Sequence, residues 1–143
     1  MKVRVKWIED VQFIGESGTG HSLIMDGPEE RGGHGTGMRP MELLLLGLGG
    51  CTNFDVVEML KKSRQNIDDC VVEISAKRSE KVPKIFTHIH IHYIIIGDNI
   101  KENQVKRAVE LSAEKYCSAS LMLGKAAEIT HDYAILNTSR END

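Results

Sequence analysis

From Pro40 to Cys51 the chain reads Pro-Met-Glu-Leu-Leu-Leu-Leu-Gly-Leu-Gly-Gly-Cys, and no other run limits its fold as tightly. Pro40 suits the first turn of a helix, where its missing N–H would have no partner anyway. The helix that follows is apolar nearly all round, which predicts burial on most sides. Met41 to Leu48 is far shorter than the ~20 residues needed to cross a bilayer. The 143 residues, 41% of them apolar and 27% charged, can build one core, so a single domain over residues 1–143 is expected. One small sheet cannot cover all of Leu43 to Leu48. An obligate homodimer is expected to cover the rest.

Gly47, Gly49 and Gly50 weaken the helix and predict a break or kink before Cys51. Thr52-Asn53-Phe54-Asp55 then reads as a capping box that opens a second helix, running to about Asn66. Lys61, Lys62 and Arg64 near its end suit the negative pole of the helix dipole. Ahead of the apolar run, Val3, Val5 and Trp7 alternate with Lys2, Arg4 and Lys6, the pattern of a half-buried strand. Val11 to Ile14 and Ser22 to Met25 complete a small antiparallel meander. Residues 26–39 carry Gly27, Gly32, Gly33, Gly35 and Gly37 and are expected to form a flexible loop.

Downstream, Cys70 to Lys77 and Phe86 to Ile96 read as a hairpin, with Ile89, Ile91, Tyr93 and Ile95 sharing one face. Ile100 to Tyr116 is amphipathic, with Val105, Ala108, Val109, Ser112 and Tyr116 on one stripe. Leu121 to Leu123 is a short apolar segment. A last strand spans Ala127 to Leu136, and residues 137–143 form a polar tail. The order β-β-β-α-α-β-β-α-β is that of an α+β protein, antiparallel sheets packed on a central apolar helix.

A net charge of -3 implies neither nucleic acid nor an anionic membrane as partner. The charged, alternating N-terminus does not read as a secretory signal. Three cysteines in such a chain point to the reducing cytoplasm, where thiols are reactive or buried rather than bridged. With Thr52 as a helix cap, Cys51 would lie beside unpaired backbone N–H groups that favour a thiolate. The alternative is a small buried hydrophobe in a tight crossing. Asp55 and Glu58 follow Cys51 on one helical face, and their charge would raise a thiol's pKa. Cys117 follows the amphipathic helix and has the same two readings, reactive or packing. Cys70 reads as structural.

The runs Pro40-Met41-Glu42-Leu43-Leu44, Gly49-Gly50-Cys51, Phe86-Thr87-His88-Ile89 and Leu111-Ser112-Ala113-Glu114-Lys115-Tyr116-Cys117-Ser118 resemble those of the OsmC/Ohr family, above all its YhfA-like branch. The likeness extends from Val3 to Ile135. It implies an intertwined homodimer with active sites at the interface, and thiol-dependent reduction of organic hydroperoxides in stress responses. Cys51 would be the peroxidatic thiol and Cys117 the resolving one, with an external dithiol as reductant and no bound cofactor. Peroxidase members place a Glu directly after the Pro and pair it with an N-terminal Arg. Here Met41 takes that place, and Glu42 is the candidate acid one residue later. On a continuous helix Glu42 and Cys51 sit about two and a half turns apart, on opposite faces. Arg4, Arg31 and Arg39 are the candidate cations. A redox-sensing or small-ligand-binding protein with weak peroxidase activity is the alternative reading.

Two further patterns carry less. His88, His90 and His92 alternate along one strand face at a spacing that can hold a metal, but read as its polar side, with no extra ligand in view. Gly32-Gly33-His34-Gly35-Thr36-Gly37 superficially resembles a phosphate loop yet lacks the Gly-Lys-Ser/Thr ending.

Overall fold

The alternation at the N-terminus becomes strand β1, Val3–Trp7, the first of an antiparallel sheet in the order β1-β2-β3, with β2 at Phe13–Ser17 and β3 at Ser22–Met25. The computed structural model describes residues 1–138, so residues 139–143 of the expected polar tail lie outside the described residues. The chain divides into two compact units, residues 1–46 and 47–143. In the first unit the meander forms as expected, but β1 is not half-buried. Val3, Val5 and Trp7 leave 73%, 58% and 63% of their surface exposed.

The glycine-rich stretch after β3 wraps around a carboxylate. Asp26 is 1% exposed, and its Oδ2 accepts the backbone N–H of His34 (2.9 Å) and of Thr36 (3.1 Å) and the Thr36 hydroxyl (2.9 Å). Those amides resemble an anion nest, but the anion they cradle is the chain's own. Close backbone approach explains the glycines. A Cβ on Gly33 would lie 1.9 Å from the Gly27 carbonyl oxygen, and one on Gly37 would lie 2.5 Å from that of Ile24.

Helix α1, Pro40–Lys62, runs without interruption through Gly47, Gly49 and Gly50. The expected break and the second helix starting at Thr52 are therefore absent, and one helix replaces the α-α pair. Each glycine costs about 1 kcal/mol of helix propensity. Burial of Leu48, Thr52, Val56 and Leu60, an i, i+4 stripe, outweighs that cost. Gly49 also has a packing role, since a Cβ there would lie 3.3 Å from Ile74 Cδ1 on the neighbouring strand. By length and composition α1 could cross a membrane, but its buried stripe carries hydrogen-bonded polar groups and reads as a core helix. The helix ends four residues before the predicted Asn66. Arg64 takes a left-handed conformation (φ 57°) and Gln65 N–H closes on the Leu60 carbonyl, a Schellman-type stop.

Strands β4, Asn66–Arg78, and β5, Phe86–Asp98, pair antiparallel as the predicted hairpin. Helix α2 spans Glu102–Leu111, and a five-residue π-helical turn, Ser112–Tyr116, follows it. Cys117 is then extended, and α3 spans Ser118–Leu123, where only an apolar segment was expected. The π turn rotates the chain, so Tyr116 leaves the predicted stripe and is 51% exposed while Ser112 stays buried. Strand β6, Glu128–Asn137, pairs parallel with β5, which corrects the all-antiparallel expectation. The α2–α3 crossover returns the chain to the same end of β5, and that connection favours parallel pairing. The core of this second unit combines Ile89, Ile91, Tyr93 and Ile95 of β5 with Val105, Ala108 and Val109 of α2 and the α1 stripe.

Candidate thiol site

Cys51 sits in the interior of α1, where backbone N–H groups are committed to the i→i−4 ladder. The helix-terminus electrostatics expected for it are therefore missing. The Thr52-to-Asp55 pattern has a different meaning. Residues three apart share a helix face as surely as they form a capping box, and here both turn toward one partner. Thr52 Oγ1 meets Ser112 Oγ at 2.8 Å, and Ser112 Oγ donates to Asp55 Oδ2 at 3.1 Å. Thr52 Oγ1 also contacts the Tyr93 hydroxyl. Thr52, Tyr93 and Ser112 are each fully buried.

Cys117 is fully buried, ends the π turn and caps α3. Its N–H donates to the Ser112 carbonyl at 2.9 Å, and its sulfur accepts the Ser120 N–H at 3.4 Å. Cys51 is half-buried, both cysteines are free thiols, and Cys51 is near enough to Cys117 to perturb its titration. The two predicted cysteines are thus brought together from α1 and the α2–α3 junction. Burial pushes the Cys117 thiol above its ordinary pKa, the Ser120 N–H pulls the other way, and Cys51 adds a further upward push.

Tyr93 stands beside this pair. Burial, with smaller contributions from charge on Cys117, Cys70 and Asp55, raises its phenol to about 12 against the opposing effect of its hydrogen bond with Thr52. Cys70 belongs to the sheet. Burial and the Asp69 charge push its thiol up to about 11, and its carbonyl accepts Asn53 Nδ2 at 2.9 Å. The structural reading of Cys70 fits this setting.

The candidate acid and the candidate cation Arg4 have other partners. Glu42 Oε2 accepts the Arg39 N–H at 2.9 Å, the reciprocal half of a capping box at the start of α1. Because α1 is continuous, its own helix does not carry Glu42 to Cys51. Arg4 pairs with Glu16 at 2.9 Å. The histidine row lies on the outer face of β5, as expected of a polar side. Contrary to expectation, carboxylates stand across from it, because parallel pairing sets His92 opposite Asp132 and His88 opposite Glu128. Asp132 Oδ1 takes both His92 Nδ1 (2.6 Å) and His90 Nε2 (3.1 Å). Among the described residues no three His, Cys, Asp or Glu side chains are grouped to hold a metal.

A family model described as OsmC-like protein matches residues 33–132. Protein YhfA of Escherichia coli K12 is 47% identical over 136 residues, 95% of this chain and 98% of its own. The chain belongs to the OsmC-like family. A solved structure of a hypothetical protein from Aquifex aeolicus has a TM-score of 0.85 at 30% identity, covering 96% of this chain and 97% of that one. An organic hydroperoxide resistance protein OsmC from Legionella pneumophila has a TM-score of 0.72 at 16% identity, covering 93% and 95%. At that identity the likeness is one of fold.

Sequence reading missed Tyr93, Ser112 and Ser120 as parts of this site. A signal was present for the first two. Each places a hydroxyl on an otherwise apolar stripe, as Thr52 does between Leu48 and Val56, and buried hydroxyls need partners.

Proposed function

We propose that this protein reduces organic hydroperoxides through Cys51 and Cys117, as a homodimer in the cytoplasm. Two free thiols from distant parts of the chain, near enough for Cys51 to influence the titration of Cys117, with Ser112 bonded both to the residue after Cys51 and to the Cys117 N–H, support this reading. Family membership supports it, as does the fold shared with the organic hydroperoxide resistance protein of Legionella pneumophila. The Cys51 thiolate attacks the terminal oxygen of ROOH, the O–O bond breaks, and ROH leaves with a proton, giving a sulfenic acid. Cys117 attacks the sulfenic sulfur, water leaves, and a disulfide forms. An external dithiol then reduces that disulfide by two exchange steps, itself becoming a disulfide.

Exposed Val3, Val5, Trp7, Leu44, Leu46 and Phe54 supply apolar surface for a second copy. Within one chain Glu42 is a helix cap, so any contribution it makes to Cys51 comes from the second chain of the dimer. Consumption of cumene hydroperoxide with a dithiol reductant tests the activity. The wild type turns over and Cys51→Ser does not. Equal rates for the two would remove the catalytic claim.

A second reading is a redox-sensing or small-ligand-binding protein with weak peroxidase activity. It is favoured by the mid-helix setting of Cys51 and by the capture of Arg4 and Glu42 by other partners. Stopped-flow oxidation separates the two, because this reading requires slow reaction of Cys51 with peroxide.

A further inference from the structure

Four polar side chains that take no part in the proposed chemistry form one continuous chain beside the thiols. Their donors can be assigned by elimination. A carboxylate only accepts, so the Ser112 hydroxyl is spent on Asp55. Thr52 must then donate to Ser112, and Tyr93 must donate to Thr52. The chain has one direction, Tyr93 to Thr52 to Ser112 to Asp55, and no hydroxyl in it is left without an acceptor.

Ser112 occupies the special place in this chain. Its side chain is held from α1 by Thr52 and Asp55, the residues one and four places after Cys51. Its carbonyl accepts the Cys117 N–H across the π turn. One residue therefore joins the helix that carries the first thiol to the backbone that carries the second. A regular α-helical continuation would pair the Cys117 N–H one residue later and rotate the sulfur away by about 100°.

We propose that Ser112, clamped by Thr52 and Asp55, is a positioning residue that sets the π turn and thereby holds Cys117 against Cys51 for reversible disulfide formation. This rests on the thiol pairing proposed above. It adds that the hydroxyl of Ser112, not packing alone, sets the effective concentration of one sulfur at the other.

The test needs no peroxide. The full-length protein is equilibrated with glutathione buffers of varied ratio, quenched by alkylation, and the Cys51–Cys117 disulfide is quantified by mass. Two protein thiols and one oxidised glutathione give the disulfide and two reduced glutathiones. Ser112→Ala should lower the effective concentration by about tenfold or more, because orientation is what makes such pairs react as one unit. Ser112→Thr keeps the hydroxyl and should restore most of it. Tyr93→Phe removes the far end of the chain without touching the clamp, and should stay within about twofold of wild type.

An unchanged equilibrium in Ser112→Ala overturns the positioning role while leaving the thiol pair intact. An equal loss in Tyr93→Phe overturns it too, by showing a general softening of the core. A wild type that forms no Cys51–Cys117 disulfide at any ratio removes the pairing itself, and the positioning role with it.

Discussion

Thr52 and Ser112, sixty residues apart in the chain, share a buried hydrogen bond of 2.8 Å that ties α1 to the turn bearing Cys117. Thr52 is the junction of the polar chain, since it also meets Tyr93. Thr52→Val should therefore leave the buried Tyr93 hydroxyl without its acceptor and Ser112 without the bond it accepts, while Ser112 still donates to Asp55. The expected loss is about 1–3 kcal/mol for each group left unpaired, read from urea denaturation of the reduced protein. Tyr93→Phe, which strands only one lone pair of Thr52, should cost less. The reverse order would contradict the donor assignment.

Thiol accessibility predicts an order of alkylation. Cys51 is half-buried, whereas Cys117 is fully buried with a raised pKa and Cys70 is pushed up to about 11. Iodoacetamide at neutral pH should modify Cys51 first and Cys70 and Cys117 only slowly, by peptide mass mapping. Early labelling of Cys117 would mean that the junction opens in solution.

Asp26 should make the first unit acid-sensitive in a defined window. Burial alone would raise its pKa, but hydrogen bonds from Thr36, His34 and Gln12 outweigh it and bring the value from 3.8 down to about 2. A depressed carboxylate stabilises the fold fully above its unfolded value, and that stabilisation fades as pH falls from about 4 to about 2. Asp26→Asn should remove this dependence and, by replacing a charged acceptor with a weaker neutral amide oxygen, loosen residues 26–37. Hydrogen exchange at His34 and Thr36 measures it. Protection unchanged in the variant would contradict the nest.

Glycine substitutions in α1 read its surroundings. A Cβ at Gly50 meets nothing within 4 Å among the described residues, so Gly50→Ala should stabilise an isolated chain by about 0.5–1 kcal/mol. In Gly49→Ala the contact with Ile74 at 3.3 Å offsets that gain. A loss of stability or of dimer in Gly50→Ala would show that a second chain approaches there, by thermal melting and sedimentation.

Patterns that repeat along the chain were legible, because they report one face of one element. The β1–β3 meander, the β4–β5 hairpin and the inward row Ile89, Ile91, Tyr93 and Ile95 all follow from alternation. The Cys51 and Cys117 motifs could be picked out because glycine, thiol and helix-end residues cluster around them. Local signals failed where two elements compete for the same residues. Gly47, Gly49 and Gly50 looked like a break, and Thr52 to Asp55 looked like a cap. Burial of the stripe through Thr52 and the bond to Ser112 kept the helix whole.

Composition and periodicity alone determined that this chain makes an α+β fold around an apolar helix, with thiols at two marked places. Their physical basis is local, in backbone propensity and in which side of an element is apolar. Tertiary structure alone decided that Cys51 stands mid-helix, that Cys117 reaches it, that Glu42 caps rather than assists within its own chain, and that Asp132 faces two histidines. Each of those depends on the register between distant segments. That register is set by buried hydrogen bonds and close contacts that become defined only once the segments have met.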